Sequence, residues 1–196
     1  MKKTISFYDH NADSYVSGTL HADMSAQYAL FQKYCKTGSR ILDFGCGSGR
    51  DVKYYLEQGY QVSACDGSPE LCKIASAYAG IPVAHLYFHQ LEAVEAYEGI
   101  WACSSILHVP KDELPDILLR IRKALVSGGY LYTSFKYGDF SGDRNGRFFS
   151  DFTEESIRAL LAQVKGLELV ETAITEDVRP DHPHEKWLNL IIRKTL

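Results

Sequence analysis

The sequence predicts an α/β fold, a largely parallel sheet covered by helices on both faces. Three observations carry that expectation. Short apolar runs of strand length alternate along the chain with amphipathic stretches at helical spacing. A glycine-rich turn, Gly45 to Gly49, joins the first such run to the helix after it. The 196 residues, 45% of them hydrophobic, suffice for one globular core and are too few for two full domains.

From Asp23, the apolar positions Met24, Tyr28, Phe31 and Cys35 recur at helical spacing and predict a helix ending near Gly38. Ile41-Leu42-Asp43-Phe44 reads as a short buried strand, and Val52, Tyr55 and Leu56 mark one face of a helix stopped at Gly59. The unit then repeats. Gln61 to Cys65 reads as a second strand, and Ser68-Pro69-Glu70 opens a helix with an N-cap, a first-turn proline and an acid at the positive dipole end; Gly80 closes it. A third strand is expected over Val83 to Leu86 and a fourth over Ile100 to Ser104. Leu114, Ile117, Leu118, Ile121 and Leu125 form a helical stripe ending at Gly128-Gly129, and Tyr130 to Lys136 alternates as a fifth strand. Next come a loop rich in glycine and charge from Gly138 to Arg147, a Thr153-capped helix to Gly166, and strands near Leu167 to Thr175 and Trp187 to Arg193. No repeat or linker divides the chain.

The formal net charge is −4, from 21 basic and 25 acidic residues, so the cationic surplus that holds proteins on DNA or anionic lipid is missing. No apolar run approaches the ~20 residues that cross a bilayer. Met1 to Ser6 leads into Phe7-Tyr8-Asp9-His10 and not into an apolar signal core, so a cytoplasmic protein is expected. Five cysteines without a CxxC pair suggest free buried thiols. His182-Pro183-His184 is an HxH with no third ligand at metal spacing, and no metal is expected.

In a parallel sheet the ligand crevice lies at the carboxyl ends of the strands, where the winding reverses. Asp43-Phe44-Gly45-Cys46-Gly47-Ser48-Gly49-Arg50 stands there. Glycines at alternate positions let backbone amides approach a nucleoside-like ligand closely. The dinucleotide pattern GxGxxG would need a third glycine where Arg50 stands, which leans away from NAD. Asp66, at the tip of the second strand, can accept hydrogen bonds from both vicinal hydroxyls of a ribose and repels a 2′-phosphate.

With DFGCGSGRD (Asp43 to Asp51), CDGS (Cys65 to Ser68), WACSSILHV (Trp101 to Val109) and SGGYLYTSF (Ser127 to Phe135), the chain resembles the class I S-adenosylmethionine-dependent methyltransferases. FYDHNADSY (Phe7 to Tyr15) is similar to the N-terminal segment with which that family covers its cofactor. The resemblance implies a Rossmann-like three-layer sandwich whose seven-stranded, mostly parallel sheet has an antiparallel last strand. It implies one methyltransferase domain over residues 1–196, with a helical lid over 1–38 and a cofactor-binding core over 39–196. It sets Asp43, Gly45, Gly47 and Gly49 around the methionine part of S-adenosylmethionine and Asp66 on the ribose, with Gly67 and Ser68 beside them. Gln90 and Leu91 fall on the adenine side, Ser104 at the reacting centre, and Tyr8 and Tyr15 near the methionine end.

The expected reaction is an in-line displacement at the methyl carbon, for which the protein mainly aligns two reactants and excludes water. His108, just after the fourth strand, is the candidate general base where the nucleophile arrives protonated. Lys136, Tyr137, Arg144 and Arg147 are candidate acceptor-binding residues, and the arginines suggest an anionic group. Arg179, Glu185 and Trp187, near the last strand, are further candidates to reach the same crevice, with a core anchor the favoured reading of Trp187. A small-molecule acceptor is expected. CSSI (Cys103 to Ile106) replaces the DPPY-type tetrapeptide of base-amino methylation, while RNA or protein methylation, an NAD-dependent oxidoreductase and a non-catalytic cofactor-binding module remain as alternatives.

Overall fold

The computed structural model describes residues 2–179 and 185–195. His182 and His184 lie outside them. In chain order the elements are α1 (Lys2–His10), α2 (Ala12–Thr19), α3 (Ser25–Gln32), β1 (Arg40–Phe44), α4 (Arg50–Glu57), β2 (Gln61–Asp66), α5 (Pro69–Ala79), β3 (Ala84–His85), β4 (Tyr97–Ala102), α6 (Leu114–Ala124), β5 (Leu125–Lys136), β6 (Ser141–Arg144), β7 (Arg147–Ser150), α7 (Glu154–Leu161), β8 (Leu167–Glu176) and β9 (Lys186–Lys194). Seven strands form one sheet in the order β3-β2-β1-β4-β5-β9-β8. β1 to β5 run parallel, and the last strand, β9, runs antiparallel between β5 and β8.

The sheet is covered on both faces, as its strand sequences require. Ile100, Trp101 and Ala102 of β4 are fully buried, which is how a central parallel strand differs from an alternating one. On one face the stripe Leu114, Ile117, Leu118 and Ile121 of α6 packs with Ile157 and Leu160 of α7. On the other, Tyr28 and Phe31 of α3 and Tyr55 of α4 close over Trp101, which stacks on Tyr132 at 3.9 Å. Among the described residues no helix is long and apolar enough to cross a membrane. The five cysteines are free thiols.

Local chemistry sets the boundaries. Ser68 caps α5 by accepting from the Leu71 amide, and Gly80 ends it in the left-handed region. Two expectations need correction. The α6 stripe stops at Ala124: Leu125 turns extended and already pairs with Tyr97, before the irregular stretch to Gly129. The segment from Gly138 to Arg147 is not an open loop, because β6 and β7 form a hairpin. Its turn is Asn145-Gly146, with φ of 50° and 82°, the two residue types that tolerate a turn of this hand.

Candidate active site

β1, β2 and β4 end on the same edge of the sheet, and the turn after β1 is the centre of the site. The amides of Gly45 and Cys46 both donate to the Cys65 carbonyl, at 2.9 and 3.0 Å, and fold the chain back across β2. A Cβ on Gly45 would lie 2.6 Å from that of Ser105, and one on Gly47 would lie 2.9 Å from the Tyr15 hydroxyl. Gly49 does something else. It begins α4 with φ of 78°, and its missing Cβ would stand 3.0 Å from the Ala75 Cα, so it lets α4 and α5 meet and lines no cavity.

Two cavities flank this turn, of about 170 Å³ and about 50 Å³. The smaller is lined by Asp66, Gly67, Leu86, Tyr87 and Phe88; the larger holds most of the charged side chains. They share Tyr8, Tyr15, Gly45, Ser104 and His108. Ser104 follows β4 with φ of 51°, a left-handed conformation that a serine adopts at a cost of about 1–3 kcal/mol. Its amide donates to the Ser134 hydroxyl at 2.9 Å, which holds the bend at the junction.

Asp66 lies in the smaller cavity and accepts from the amides of Gly47 at 2.9 Å and Ser68 at 2.8 Å. Burial raises its pKa, against those backbone donors, which lower it. The two-way grip leaves lone pairs on both oxygens. Ser68 donates to Asp9 of α1, and Ile5 of α1 lies where a Cβ on Gly67 would fall, so α1 rests directly on this corner. Two residues placed on the adenine side by sequence are elsewhere. The Gln90 side chain turns back to accept from the Tyr87 amide at 2.9 Å, and Leu91 enters the core. The one-turn 3₁₀ segment over Phe88–Gln90 presents Leu86, Tyr87 and Phe88 instead.

Asp43 lines neither cavity. It is buried at the end of β1 with Oδ2 unpartnered, and burial together with the nearby Asp51 charge pushes its carboxyl well above the usual range. Asp51 is the group that sequence reasoning missed. Arg50 grips it with two nitrogens at 2.6 and 3.0 Å, Tyr28 donates at 2.5 Å and Trp101 at 2.8 Å. Burial would raise its pKa, but Arg50 and these donors bring it below the ordinary value. Arg50 also donates to the Thr19 carbonyl at 3.1 Å, so the end of α2 is tied to the floor of the larger cavity. The available signal was the Arg50-Asp51 pair in the first turn of a helix whose face is otherwise apolar.

His108 is wedged between α1 and the hairpin. Its Nδ1 lies 2.6 Å from the Phe148 carbonyl and its Nε2 lies 2.8 Å from the Tyr8 hydroxyl. A carbonyl only accepts, so Nδ1 carries the proton and Nε2 takes the Tyr8 hydrogen. Burial lowers the His108 pKa to about 4, beyond what the Phe148 carbonyl offsets. Tyr8 contacts Tyr15 edge to face at 5.0 Å, and burial raises the pKa of both phenols.

Among the acceptor candidates, Lys136, Arg144 and Arg147 line the larger cavity, and Tyr137 does not. The Tyr137 hydroxyl instead donates to Glu154 at 2.9 Å on the surface, because alternation along the strand turns it to the opposite face from Lys136. Lys136 pairs with Glu185 and lies over the Trp187 ring; burial, then the Arg179 charge, lower its pKa to about 8. Arg144 pairs with Asp151 at 2.9 Å, and Arg179 with Asp177 at 2.7 Å. Arg147 lies over Phe7 at 4.7 Å and Phe149 at 5.2 Å, with Nη1 3.4 Å from the Tyr8 hydroxyl. Arg179, Glu185 and Trp187 all reach the cavity. Among the described residues no cluster of His, Cys, Asp and Glu is arranged to hold a metal.

A family model for a methyltransferase domain matches residues 41–129. The ubiquinone biosynthesis O-methyltransferase of Xanthomonas oryzae pv. oryzae is 29% identical over 106 residues, which are 50% of this chain and 43% of that protein, so the chain spans less than half of this curated relative's length. The 1,6-didemethyltoxoflavin-N1-methyltransferase of Burkholderia thailandensis, crystallised with 1,6-didemethyltoxoflavin and S-adenosylhomocysteine, superposes with a TM-score of 0.78 at 24% identity over 98% of this chain and 85% of that one. A SAM-dependent methyltransferase of Methanosarcina mazei gives 0.76 at 19% identity, over 86% of this chain and 98% of its own. Both likenesses are of fold. With the glycine turn, the acid at the tip of β2 and the antiparallel final strand all falling within that fold, the chain is similar to the class I S-adenosylmethionine-dependent methyltransferases, and the segment that matches the methyltransferase-domain model is a little under half of it.

Proposed function

We propose that this protein is an enzyme that transfers a methyl group from S-adenosylmethionine to a small-molecule acceptor. The observation that carries the reading is the joining of two unlike chambers at Ser104, Tyr8, Tyr15 and Gly45, one holding Asp66 beside an aromatic wall and the other lined by charge. The residues present suit the cofactor. Asp66 offers free lone pairs to vicinal hydroxyls, Tyr87 and Phe88 offer a purine their ring faces or edges, and Gly45 and Gly47 leave the space that a Cβ would fill.

When bound, the cofactor supplies an electrophilic methyl on a sulfonium, and transfer forms the acceptor–carbon bond as the carbon–sulfur bond breaks with its electron pair going to sulfur. The chain's own part is to bind, orient and keep water out. Tyr8 and Tyr15 stand between the two ligands and offer electron-rich faces to a cationic centre. We propose that His108 acts as a positioning residue. With Nδ1 on the Phe148 carbonyl and Nε2 on Tyr8, it fixes the Tyr8 ring at the junction, and a pKa near 4 makes it a weak proton acceptor. A small acceptor is supported by the roof that α1, α2 and the β6–β7 hairpin form over the larger chamber. The net charge of −4 speaks against RNA.

Calorimetry with S-adenosylhomocysteine tests the reading. Binding at micromolar concentration is expected, and Asp66→Ala should weaken it by about 1–3 kcal/mol through lost charged hydrogen bonds. Absence of binding by the unaltered chain rejects the proposal, and enhanced fluorescence of NADH on mixing would reinstate the oxidoreductase alternative.

A further inference from the structure

We infer that the acceptor is a planar organic anion and that Arg147 is the residue that selects it. The inference rests on the methyltransferase reading and deepens it.

The charges that line the larger cavity are unevenly paired. Five cationic side chains line it: Arg50, Lys136, Arg144, Arg147 and Arg179. Arg50 is held by Asp51, Lys136 by Glu185, Arg144 by Asp151 and Arg179 by Asp177. Arg147 has no carboxylate within ion-pair distance among the described residues, and its Nε is a buried donor without a partner. The remaining carboxylate on the cavity wall, Glu176, is exposed. A guanidinium with no anion beside it and a donor unsatisfied is costly to bury, and a ligand carboxylate or ionised ring heteroatom would relieve both penalties. Arginine is suited to that task because its planar fork can meet an anion with two parallel hydrogen bonds.

The surroundings define the rest of the ligand. Phe7, Tyr8 and Phe149 stand around Arg147, within 5.8 Å of its central carbon, and Phe149 and Trp187 line the same cavity. Such walls favour a flat ring over a flexible aliphatic chain. Arg147 also reaches Tyr8, which borders both chambers. An anion clamped by Arg147 therefore sits on the acceptor side of the junction. The methionine carboxylate of the cofactor is the one competing source of the same chemistry.

The test uses the full chain saturated with S-adenosylhomocysteine, titrated with flat aromatic probes in acid and amide pairs: benzoate with benzamide, picolinate with picolinamide, nicotinate with nicotinamide. Trp187 fluorescence or calorimetry reads binding. At least one acid should bind roughly tenfold or more tighter than its amide. That preference should shrink with added salt and vanish in Arg147→Gln, with Arg147→Lys between the two. The salt series on the unaltered chain decides the question even where a variant fails to fold. Acids and amides that bind equally, or not at all, overturn the inference, as does a preference that survives in Arg147→Gln. A variant that loses affinity for S-adenosylhomocysteine while keeping the acid preference would assign Arg147 to the cofactor and also overturn it. Failure of the unaltered chain to bind S-adenosylhomocysteine is a different result, and it rejects the methyltransferase reading itself.

Discussion

His108 shows how much one buried side chain can tie to its surroundings. It holds a backbone carbonyl of β7 on one nitrogen and a phenol of α1 on the other, and burial keeps it neutral down to a pKa of about 4. The consequence for stability has a definite sign. In the unfolded chain a histidine takes up a proton near pH 6.5, whereas in the folded chain it does so near 4. Above pH 6.5 both states are neutral and the difference contributes nothing. As pH falls from 6.5 toward 4, only the unfolded state gains the proton, so folding loses stability, by about 3 kcal/mol in full. Urea unfolding of the unaltered chain and of His108→Gln at pH 7.5 and 4.5 measures this. The variant should lose about 2–3 kcal/mol less on acidification than the parent, and equal losses would contradict the buried neutral state.

Among the elements, the glycine turn was legible because its meaning is local: strand before, helix after, an acid on the next strand. The purpose of its last glycine was not. Gly49 shares the alternate spacing of the cavity-lining Gly45 and Gly47, yet it is pressed against Ala75 of α5, a contact 26 residues away that no local pattern encodes. Gly80 provides the control, since it has φ of 75° with nothing within 4 Å of the missing Cβ. Gly80→Ala should cost about 1 kcal/mol for the left-handed backbone alone. Gly49→Ala adds a clash with backbone atoms that cannot swing aside, for about 2–3 kcal/mol in total. Thermal unfolding of the two variants should differ by about 2–8 °C. Equal losses would mean that α4 and α5 shift apart freely. The hairpin was missed for a neighbouring reason: Asn145-Gly146 is a strong turn signal, but the charge around it reads as an open loop until β6 and β7 are seen pairing under the aromatic rings of α1.

At the scale of the molecule, the cavities are closed by segments far apart in sequence, and this is why local sequence pattern reveals their floor and not their roof. The floor comes from strand ends, whose order follows from parallel alternation. The roof comes from α1, α2 and the hairpin, whose polar, weakly patterned sequences say little about where they dock. The hairpin is anchored in the core by Phe149, whereas the attachment of the two helices is mostly polar. Thr4 is the one buried residue of α1 and Ala12 that of α2, and the joints are Ser68 to Asp9, the Phe148 amide to Thr4, Tyr8 to His108 and the Thr19 carbonyl to Arg50. A segment held by few apolar contacts opens locally at lower free energy than the core beneath it. A ligand filling the chambers would add buried contacts to Tyr8 and Tyr15 and so stabilise the closed arrangement. S-adenosylhomocysteine at about 100 times its dissociation constant should raise stability by about 2.7 kcal/mol, or about 5–10 °C in a chain of this size. In hydrogen exchange the largest gain in protection should fall on the amides of α1 and α2. If protection rises only at Gly45 to Gly49 and β2 while α1 and α2 exchange as before, these helices do not cover the ligand, and the small-molecule character of the acceptor loses its main support.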